Sequence, residues 1–470
     1  MSMLITGGTV VSATGADAYD VLIDGETVVA LLSPGSEVAA SAAASAERVI
    51  DATGKYVIPG GVDAHTHMEL PFGGTFASDT FETGTKAAAW GGTTTIVDFA
   101  VQSFGQQVQE SLDTWFAKAE GNCAIDYAFH MIIGDVNDAS LKAMDVLVDE
   151  GITSFKLFMA YPGVFLSDDR QILQAMQQAA GNGGMIMMHA ENGIAIDLLA
   201  EQAVARGETD PVNHGYVRRS ELEGEATHRA IQLAKVGAAP LYIVHLSASE
   251  ALEQVAIARG KGANVFAETC PQYLYLNLED HLGAPGFTGA GYVCSTPLRS
   301  KHEHHHADLW NGLRTNDLSV VATDHCPFCM KDQKELGKDD FRAIPNGIGG
   351  VEHRMDLIYQ GVLQGEITLP RWVELCSTTP ARMFGLYPRK GVIQPGADAD
   401  IVIYDPEASW SISVDNHHMN MDYSAYEGFE IQGKVDTVLS RGTVVVENET
   451  FHGQSGHGQY LRRGLSQYLV

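Results

Sequence analysis

The amino-acid sequence predicts an α/β protein with a (β/α)8 barrel of the TIM type and a small β-sandwich domain formed by both chain ends. Three observations predict this fold. Short apolar segments alternate with helix-like segments through the middle of the chain, β-rich segments occur at both ends, and polar side chains of the metal-ligating type stand where several apolar segments end. Alternating strands and helices indicate a parallel sheet, and eight such units indicate a closed barrel.

Eight short apolar segments in the middle of the chain have the length and composition of buried strands. They cover residues 61–65, 93–99, 125–131, 152–158, 185–189, 241–245, 264–268 and 319–324. Helix-like segments lie between most of them, such as 80–90, 168–180, 221–235 and 248–260. A doubly wound open sheet is the alternative, but it usually carries a glycine-rich phosphate-binding loop after its first strand. Here the first strand ends in His-Thr-His, which favours the barrel.

The two ends of the chain share a β-rich pattern that is punctuated by Gly and Asp. We predict that residues 1–57 and 391–447 form one β-sandwich domain beside a catalytic barrel of residues 58–390, with two unrelated β caps as the alternative. Within the first part, the Ala- and Ser-rich residues 39–46 are expected to be a loop tip, with a helical turn as the alternative. Residues 448–470 are a C-terminal tail that is either frayed or docked on a neighbouring subunit.

The composition is that of a globular protein, with 45% hydrophobic and 19% charged residues among 470. Thirty Lys and Arg against 59 Asp and Glu give a net charge of −29, and such an acidic surface repels phosphate backbones and anionic lipids. We therefore expect a small-molecule substrate and neither nucleic acid nor membrane as a partner. The six cysteines, the lack of a long apolar segment and an N-terminus without a basic leader predict a cytoplasmic location.

Side chains that commonly bind metal ions stand at the carboxyl ends of five predicted strands. They are His65 and His67 after the first strand, Lys156 in the fourth, His189 after the fifth, His245 after the sixth and Asp324 after the eighth. In barrel enzymes the active site lies at this face. Two histidines at i and i+2 of a strand point to the same side, so one ion can bind both. The pattern predicts a metal site.

Lys156 needs a separate explanation, because a buried ammonium beside metal cations is unfavourable. One interpretation is an ion pair with a neighbouring carboxylate. The other is that carbon dioxide converts the amine to a carbamate, which is an anion with two oxygens that can bridge two metal ions. A carbamate, Asp324 and a hydroxide are negatively charged. Together they would nearly offset the positive charge of two divalent metal ions, as a partly buried site requires.

Eight segments in a fixed order make the chain resemble the dihydropyrimidinase and D-hydantoinase family of cyclic amidohydrolases along essentially its whole length. They are 59–67 (PGGVDAHTH), 91–99 (GGTTTIVDF), 154–161 (SFKLFMAY), 189–192 (HAEN), 244–247 (VHLS), 267–274 (AETCPQYL), 323–328 (TDHCPF) and 344–350 (IPNGIGG). The resemblance implies the barrel, the two-ended sandwich, and a homo-oligomer that is a tetramer rather than a dimer.

The resemblance also implies a binuclear site with two Zn2+ ions per subunit. One ion would be bound by His65, His67 and Asp324, and the other by His189 and His245. Lys156, as an N6-carboxylated lysine, would bridge the two ions. All of these ligand positions of the family are filled in this chain.

The resemblance further implies the reaction: hydrolysis of the cyclic amide of 5,6-dihydropyrimidines or 5-substituted hydantoins to N-carbamoyl amino acids by a metal-bridging hydroxide. Asp324 would accept the proton of the water and pass it to the leaving nitrogen. Tyr161 would donate to the developing oxyanion, the alternative being an aromatic residue that only packs the loop.

The same resemblance assigns substrate-binding residues. Backbone groups of Ser295 and Asn346 would bind the ring, and the apolar side chains of Leu70, Phe72 and Phe158 would line the pocket for its substituent. Apolar walls discriminate weakly between substituents, so they leave the substrate open.

Two other functions remain as alternatives. An allantoinase shares the fold and metals, and a non-enzymatic scaffold of the same fold would lack metal ligands, which are complete here. Two further patterns are expected to have no chemical role. Cys326-Pro-Phe-Cys329 is a single CxxC without a second pair, and the cluster of His302, His304, His305 and His306 is expected to be the solvated start of a helix.

Overall fold

A parallel barrel lies at the centre of the computed structural model, which describes residues 2–468. Its eight strands follow one another around the barrel in chain order. They are β1 (Gly61–Thr66), β2 (Thr93–Val101), β3 (Asp126–Ile132), β4 (Ser154–Phe158), β5 (Met185–His189), β6 (Leu241–Ile243), β7 (Val265–Thr269) and β8 (Val320–Val321). A parallel bridge between Thr66 and His325 joins β1 to the segment after β8 and closes the ring. The predicted (β/α)8 barrel is confirmed.

Helices connect successive barrel strands, and three further helices follow the last strand. They are Phe81–Trp90, Val108–Ala119, Asp138–Asp149, Asp169–Asn182, Gly193–Ala205, Asn213–Val217, Ser220–Gly237, Ser249–Gly260, Pro271–Tyr275, His305–Thr315, Arg354–Leu363, Leu369–Val373 and Thr379–Met383. Thr80 and Asp168 cap two of them, since each side chain accepts from the backbone N–H three residues on. The four predicted helices are confirmed. Within residues 2–468, no helix has both the length and the apolar character needed to cross a bilayer.

Two further sheets lie beside the barrel and enclose a second apolar core. The four-stranded sheet contains Thr27–Leu32, Asp20–Asp24, Ser2–Thr6 and Arg48–Asp51. The seven-stranded sheet contains Thr450–Phe451, Thr443–Glu447, Glu430–Ser440, Ile401–Ser411, Tyr56–Pro59, Thr9–Ser12 and Gly15–Ala18. Because Ile401–Ser411 pairs with Tyr56–Pro59, both ends of the chain build one sandwich, and two separate caps are excluded. The exact domain boundaries stay a prediction.

The Ala- and Ser-rich segment is a helix, so the expected loop tip was wrong. The helix runs from Glu37 to Ser45. Ser36 caps it by accepting the N–H of Ala39, and Ala39 and Ala42 are buried against the sheet domain. Alanine has the highest helix propensity, and here a capped start and one buried face stabilise the segment.

The C-terminal tail binds the amino-terminal end of the barrel of its own chain. The N–H of Tyr127 donates to the carbonyl of Gln459, and the N–H of Leu461 donates back to Tyr127. Arg463 is buried, and its guanidinium donates to the hydroxyl of Ser154 at the start of β4 at 2.9 Å. The prediction of a frayed tail was therefore wrong for the residues up to 468. A contact of the tail with a neighbouring subunit stays a prediction.

A buried ion cluster joins the barrel to the sandwich. Lys390, which is 1% exposed, donates to Asp126 at the start of β3 at 2.6 Å and to Asp400 beside the sandwich strand at 2.7 Å. It also lies 2.9 Å from Asp398, and Arg441 contacts Asp126 at 3.1 Å. Nearby carboxylates raise the pKa of Lys390 against the opposing effect of burial, so the cluster holds a charged ammonium.

Replacing the central cation should destabilise the protein strongly. Lys390→Met leaves several buried carboxylates without their shared partner, so we expect the free energy of unfolding to fall by about 3–5 kcal/mol. Lys86→Met is the matched control, because Lys86 pairs with Glu82 on an exposed helix face at 2.6 Å and its loss should cost about 0.3–0.5 kcal/mol. Urea unfolding of both variants checks this, and equal losses would contradict it.

Candidate active site

A pocket opens at the carboxyl-terminal end of the barrel strands, where barrel enzymes place their chemistry. It is lined by His67, Leu70, Phe72, Ile132, Lys156, Phe158, Tyr161, Phe165, His189, His245, Ser295, Asp324, Cys326, Asn346 and Gly347. His65 is fully buried and contacts His67 and Lys156. The structure therefore brings all of the candidate residues identified from the sequence into one pocket or into contact with its lining.

Three ligand atoms converge on one point, and they belong to His65, His67 and Asp324. The Nε2 atoms of the two histidines are 3.2 Å apart, and they lie 3.1 and 3.3 Å from Oδ1 of Asp324. Burial lowers the pKa of His67 to about 4 and that of His65 well below its usual value, so both imidazoles are neutral. Neutral imidazoles and a carboxylate are suitable ligands for a divalent ion.

Asp324 is an ionised acceptor despite its burial. Burial alone would raise the pKa of this carboxyl group, but the hydrogen bond with His67 and the interactions with nearby histidines and Lys156 lower it below its usual value. Within residues 2–468, this trio is the only group of three His, Cys, Asp or Glu side chains whose ligand atoms lie so close together.

Lys156 points into the same centre. Its Nζ atom lies 2.9 Å from Nε2 of His65 and 4.4 Å from the centre of the Phe99 ring. Among residues 2–468, no carboxylate oxygen lies within 4.0 Å of this Nζ atom, although Asp324 and Glu268 are near enough to favour its charged form, so the ion pair stays an alternative. Burial lowers the pKa of Lys156 to about 8, which increases the share of neutral amine, the form that can react with carbon dioxide.

His189 and His245 form the other side of the centre. Their rings are 4.6 Å apart. Nε2 of His189 lies 2.7 Å from Oε2 of Glu191, and the guanidinium of Arg218 donates to the same oxygen at 2.7 Å. This leaves Nδ1 of His189 for an ion. Nδ1 of His245 is buried and has no hydrogen-bond partner, so it is a second atom that an ion could satisfy.

Glu268 orients His65 from below. One carboxylate oxygen contacts Nδ1 of His65 and accepts the backbone N–H of His245 at 3.2 Å. The other oxygen accepts the hydroxyl of Tyr242 at 2.8 Å. Because Nδ1 is engaged in this way, Nε2 of His65 faces the centre, which is the usual arrangement around a ligating histidine.

Polar groups from three loops meet at the rim of the pocket. The amide of Asn346 donates to the hydroxyl of Ser295 at 3.0 Å and to the hydroxyl of Tyr161 at 3.4 Å. His214 donates to the carbonyl of Cys294 at 2.8 Å and holds the Ser295 loop from the outside. Burial raises the pKa of Tyr161, so its hydroxyl stays protonated and can donate a hydrogen bond.

Three of the candidate residues have a left-handed backbone. The φ angles are 63° at Tyr161, 40° at His245 and 51° at Asp324. Residues other than glycine rarely adopt the left-handed conformation, and each one that does lowers the stability of the fold by about 1–3 kcal/mol. Strain at three side chains that face one pocket is typical of a functional site.

The outer wall of the pocket is aromatic and apolar. A short hairpin, Pro71–Phe72 paired with Thr75–Phe76, carries Phe72 to within 5.3 Å of the Tyr161 ring. Phe158 stacks on Phe165 at 5.0 Å. This wall can contact an apolar substituent of a ligand whose polar part lies on the histidines.

Two further sequence patterns, the CxxC pair and the histidine cluster, lie outside the group of candidate metal ligands. Cys326 and Cys329 are both free thiols. A helix does begin at His305, within the histidine cluster. However, His305 is only 3% exposed and pairs with Glu303. The prediction of a solvated helix start was therefore wrong for His305. His325 points away from the centre and bonds Asp79 at 3.0 Å.

Sequence reasoning missed the residues that hold the ligands. Glu191, Glu268 and Arg218 were given no role, although Glu191 is two residues after His189 and Glu268 is the penultimate residue of a barrel strand. These two positions could have indicated them, since ligating histidines are usually held by a carboxylate. Arg218 and the pocket residue Phe165 lie in loops, and no spacing pattern indicates them.

Comparison with known proteins gives a consistent result. The amidohydrolase family matches residues 56–445. A protein named D-hydantoinase from Streptomyces coelicolor is 65% identical over 467 residues, which cover 99% of this chain and 99% of the relative. A D-hydantoinase from Geobacillus stearothermophilus is 46% identical over 466 residues, which cover 98% of this chain and 97% of the relative. A crystal structure of a dihydropyrimidinase from Brevibacillus agri has a TM-score of 0.95 at 48% identity and covers 99% of both chains.

The contact between Glu191 and His189 should control metal affinity. Glu191→Gln removes the charge that orients the His189 ring and pairs with Arg218, so we expect the affinity for added Zn2+ to fall by about 10–100-fold. Glu303→Gln is the matched control, because Glu303 makes the same contact with His305 at 2.7 Å outside the pocket. Isothermal titration calorimetry with zinc measures the metal affinity of both variants. An unchanged affinity in Glu191→Gln would contradict the prediction.

Proposed function

Because the chain belongs to the amidohydrolase family, and within it to the dihydropyrimidinase and D-hydantoinase group, we propose that it opens 5-substituted hydantoins and 5,6-dihydropyrimidines to N-carbamoyl amino acids. One observation carries the proposal: the convergence of His65, His67 and Asp324 at the base of a pocket with polar loops and an apolar wall. The names of the relatives, D-hydantoinase and dihydropyrimidinase, support the substrate class.

We propose two zinc ions per subunit, held by the residues that the sequence identified. The donor set fits, since it combines neutral imidazoles, one carboxylate, an unpartnered Nδ1 of His245 and a buried amine that can become a carbamate. When bound, such ions make a water acidic enough to ionise near neutral pH and polarise the scissile carbonyl. Lys156, as a carbamate, would contribute the two oxygens that join the two halves of the site.

Asp324 would move the proton of the reaction. It is ionised, buried and directed at the centre, so it can accept a proton from the attacking water. Ring opening releases the ureide nitrogen of the ring, which becomes the NH2 of the carbamoyl group when it takes up a proton, and the same carboxyl group can deliver that proton. Its Oδ1 atom lies 3.1 Å from Nε2 of His65, at the centre where this transfer would take place, and this position supports the role.

Tyr161 and the two polar loops would bind the ring. The protonated Tyr161 hydroxyl can donate to the carbonyl oxygen as negative charge develops on it. Backbone groups of Ser295 and Asn346 would bind the remaining amide groups, since their side chains already bond each other. Leu70, Phe72 and Phe158 would then contact the substituent and exclude water from that side.

Three wider properties stay proposals: a homotetramer, a cytoplasmic location and a role in pyrimidine catabolism. They rest on the family resemblance and on the cysteine usage of the sequence.

Hydrolysis of a substrate panel tests the proposed function. Zinc-loaded protein should open 5-phenylhydantoin, hydantoin and dihydrouracil faster than allantoin, and elemental analysis should find about two zinc ions per chain, since the two halves of the site can each hold one. Dialysis against a chelator should abolish turnover and added zinc should restore it. Faster turnover of allantoin would indicate an allantoinase, and no turnover of any cyclic amide would indicate a scaffold.

Substitution of Lys156 tests the carbamate. Lys156→Ala should lose zinc and activity together, and short carboxylic acids should restore part of both by replacing the bridging oxygens. Lys156→Arg keeps a positive charge but cannot form a carbamate, so it should also be inactive. Near-normal turnover and zinc content in Lys156→Arg would show that no carbamate is needed.

Tyr161→Phe separates the chemistry from metal binding. The change removes one hydroxyl and no ligand, so zinc content should stay at the wild-type value. Turnover should fall by about 10²–10³, which is the usual effect of removing one oxyanion donor. If turnover stays unchanged, Tyr161 only packs the loop.

A further inference from the structure

A buried lysine lies directly beneath the substrate loops and takes no part in the proposed chemistry. Lys334 is 0% exposed. Its Nζ atom donates to the carbonyl oxygens of Val293 at 2.9 Å, Pro345 at 2.7 Å and Gly347 at 2.8 Å. An ammonium group has three N–H bonds, so these three carbonyls satisfy all of them.

The three carbonyls belong to the two loops that carry the ring-binding residues. Val293 is two residues before Ser295, and Pro345 and Gly347 are the residues on either side of Asn346. A backbone hydrogen bond from Gly347 to Val293 at 2.9 Å also links the loops. The ammonium therefore fixes both sides of Asn346 relative to the Ser295 loop.

A buried ammonium without a carboxylate partner is an unfavourable arrangement. Burial lowers the pKa of Lys334 to about 7, and among residues 2–468 no carboxylate oxygen lies within 4.0 Å of its Nζ atom. An apolar side chain would be less costly in this position if only packing were required. Its three short contacts to loop carbonyls give the lysine a specific role in loop position.

The preceding residue extends the arrangement to a third loop. The amide of Gln333 donates to the hydroxyl of Thr75 at 3.0 Å and to the carbonyl of Phe76 at 2.7 Å, which are in the hairpin that carries Phe72. Its Oε1 accepts the N–H of Cys329 at 2.7 Å. Two adjacent side chains thus contact the Ser295 loop, the Asn346 loop and the hairpin.

We propose that Lys334 is a positioning residue, which holds the Ser295 and Asn346 loops at the spacing that binds the ring amides, and that Gln333 does the same for the hairpin that contacts the substituent. The inference rests on the proposed function, because it assigns these loops to the substrate. Lys334 acts on every substrate, since all share the ring amides. Gln333 acts only on substrates with a large substituent.

Steady-state kinetics of three variants test the inference. Lys334→Met keeps the size of the side chain and removes its donors, so KM should rise by about tenfold for both hydantoin and 5-phenylhydantoin, while kcat and zinc content change little. This factor corresponds to the loss of one hydrogen bond to the ring. Gln333→Leu should raise KM for 5-phenylhydantoin and leave KM for hydantoin near the wild-type value.

Lys86→Met is the control, because Lys86 pairs with Glu82 on an exposed helix face at 2.6 Å, and its loss should leave both KM values unchanged. A wild-type KM in folded Lys334→Met, or an equal rise of KM in Lys86→Met, would overturn the inference. If Lys334→Met does not fold, Lys334→Gln, which keeps an amide donor, takes its place in the comparison. Failure of both variants to fold would show a role in folding alone and would also overturn it.

Amide hydrogen exchange separates this inference from the proposed function. In Lys334→Met, exchange should become faster in residues 293–296 and 345–348 than in wild-type protein, and Lys86→Met should not change it there. This result would support the positioning role even if the wild-type protein opened none of the cyclic amides. Unchanged exchange in both segments would overturn the role of Lys334, whereas the substrate panel alone decides the proposed function.

Discussion

The polar centre at the carboxyl-terminal end of the barrel has to be kept out of water and still be hydrogen-bonded. Burial lowers the pKa of His65 and His189, and it leaves lone pairs that bind an ion only if the rings keep one orientation. Glu268 fixes the first ring and Glu191 fixes the second. Most of the surrounding architecture follows from this requirement, since each of these carboxylates is itself held by Tyr242, a backbone amide or Arg218.

The same requirement extends into the loops. Asp98 accepts the hydroxyl of Thr66 at 2.8 Å and the N–H of Met68 at 2.9 Å, so it fixes the chain on both sides of His67. His325 closes the barrel and leaves the preceding Asp324 in its left-handed conformation. Strain and burial are thus concentrated in one small region, and the hydrogen bonds around it keep this arrangement in place.

Sequence reasoning predicted those features that depend on periodic or fixed spacing. Barrel strands, helices and the i, i+2 pair of His65 and His67 all leave such a pattern. Features that depend on contacts between distant residues leave none, and therefore Arg218 and Lys334 were not identified. Residues 39–46 were interpreted wrongly for a related reason: their composition suits a loop or a helix, and the burial of one face of Glu37–Ser45 decided between them. The tail was also misjudged, because its partners Tyr127 and Gly151 are more than 300 residues away.

The pairing of Tyr56–Pro59 with Ile401–Ser411 has a consequence for biosynthesis. A ribosome makes the first of these strands early, but the strand beside it emerges only after the whole barrel has been translated. The seven-stranded sheet therefore cannot be completed during most of translation, and its early strands expose unpaired edges for that time. Arg463, which contacts the start of β4, arrives later still. A nascent chain that stalls before residue 401 would hold a barrel with one uncovered end and half of a sheet, a form that chaperones and proteases recognise readily.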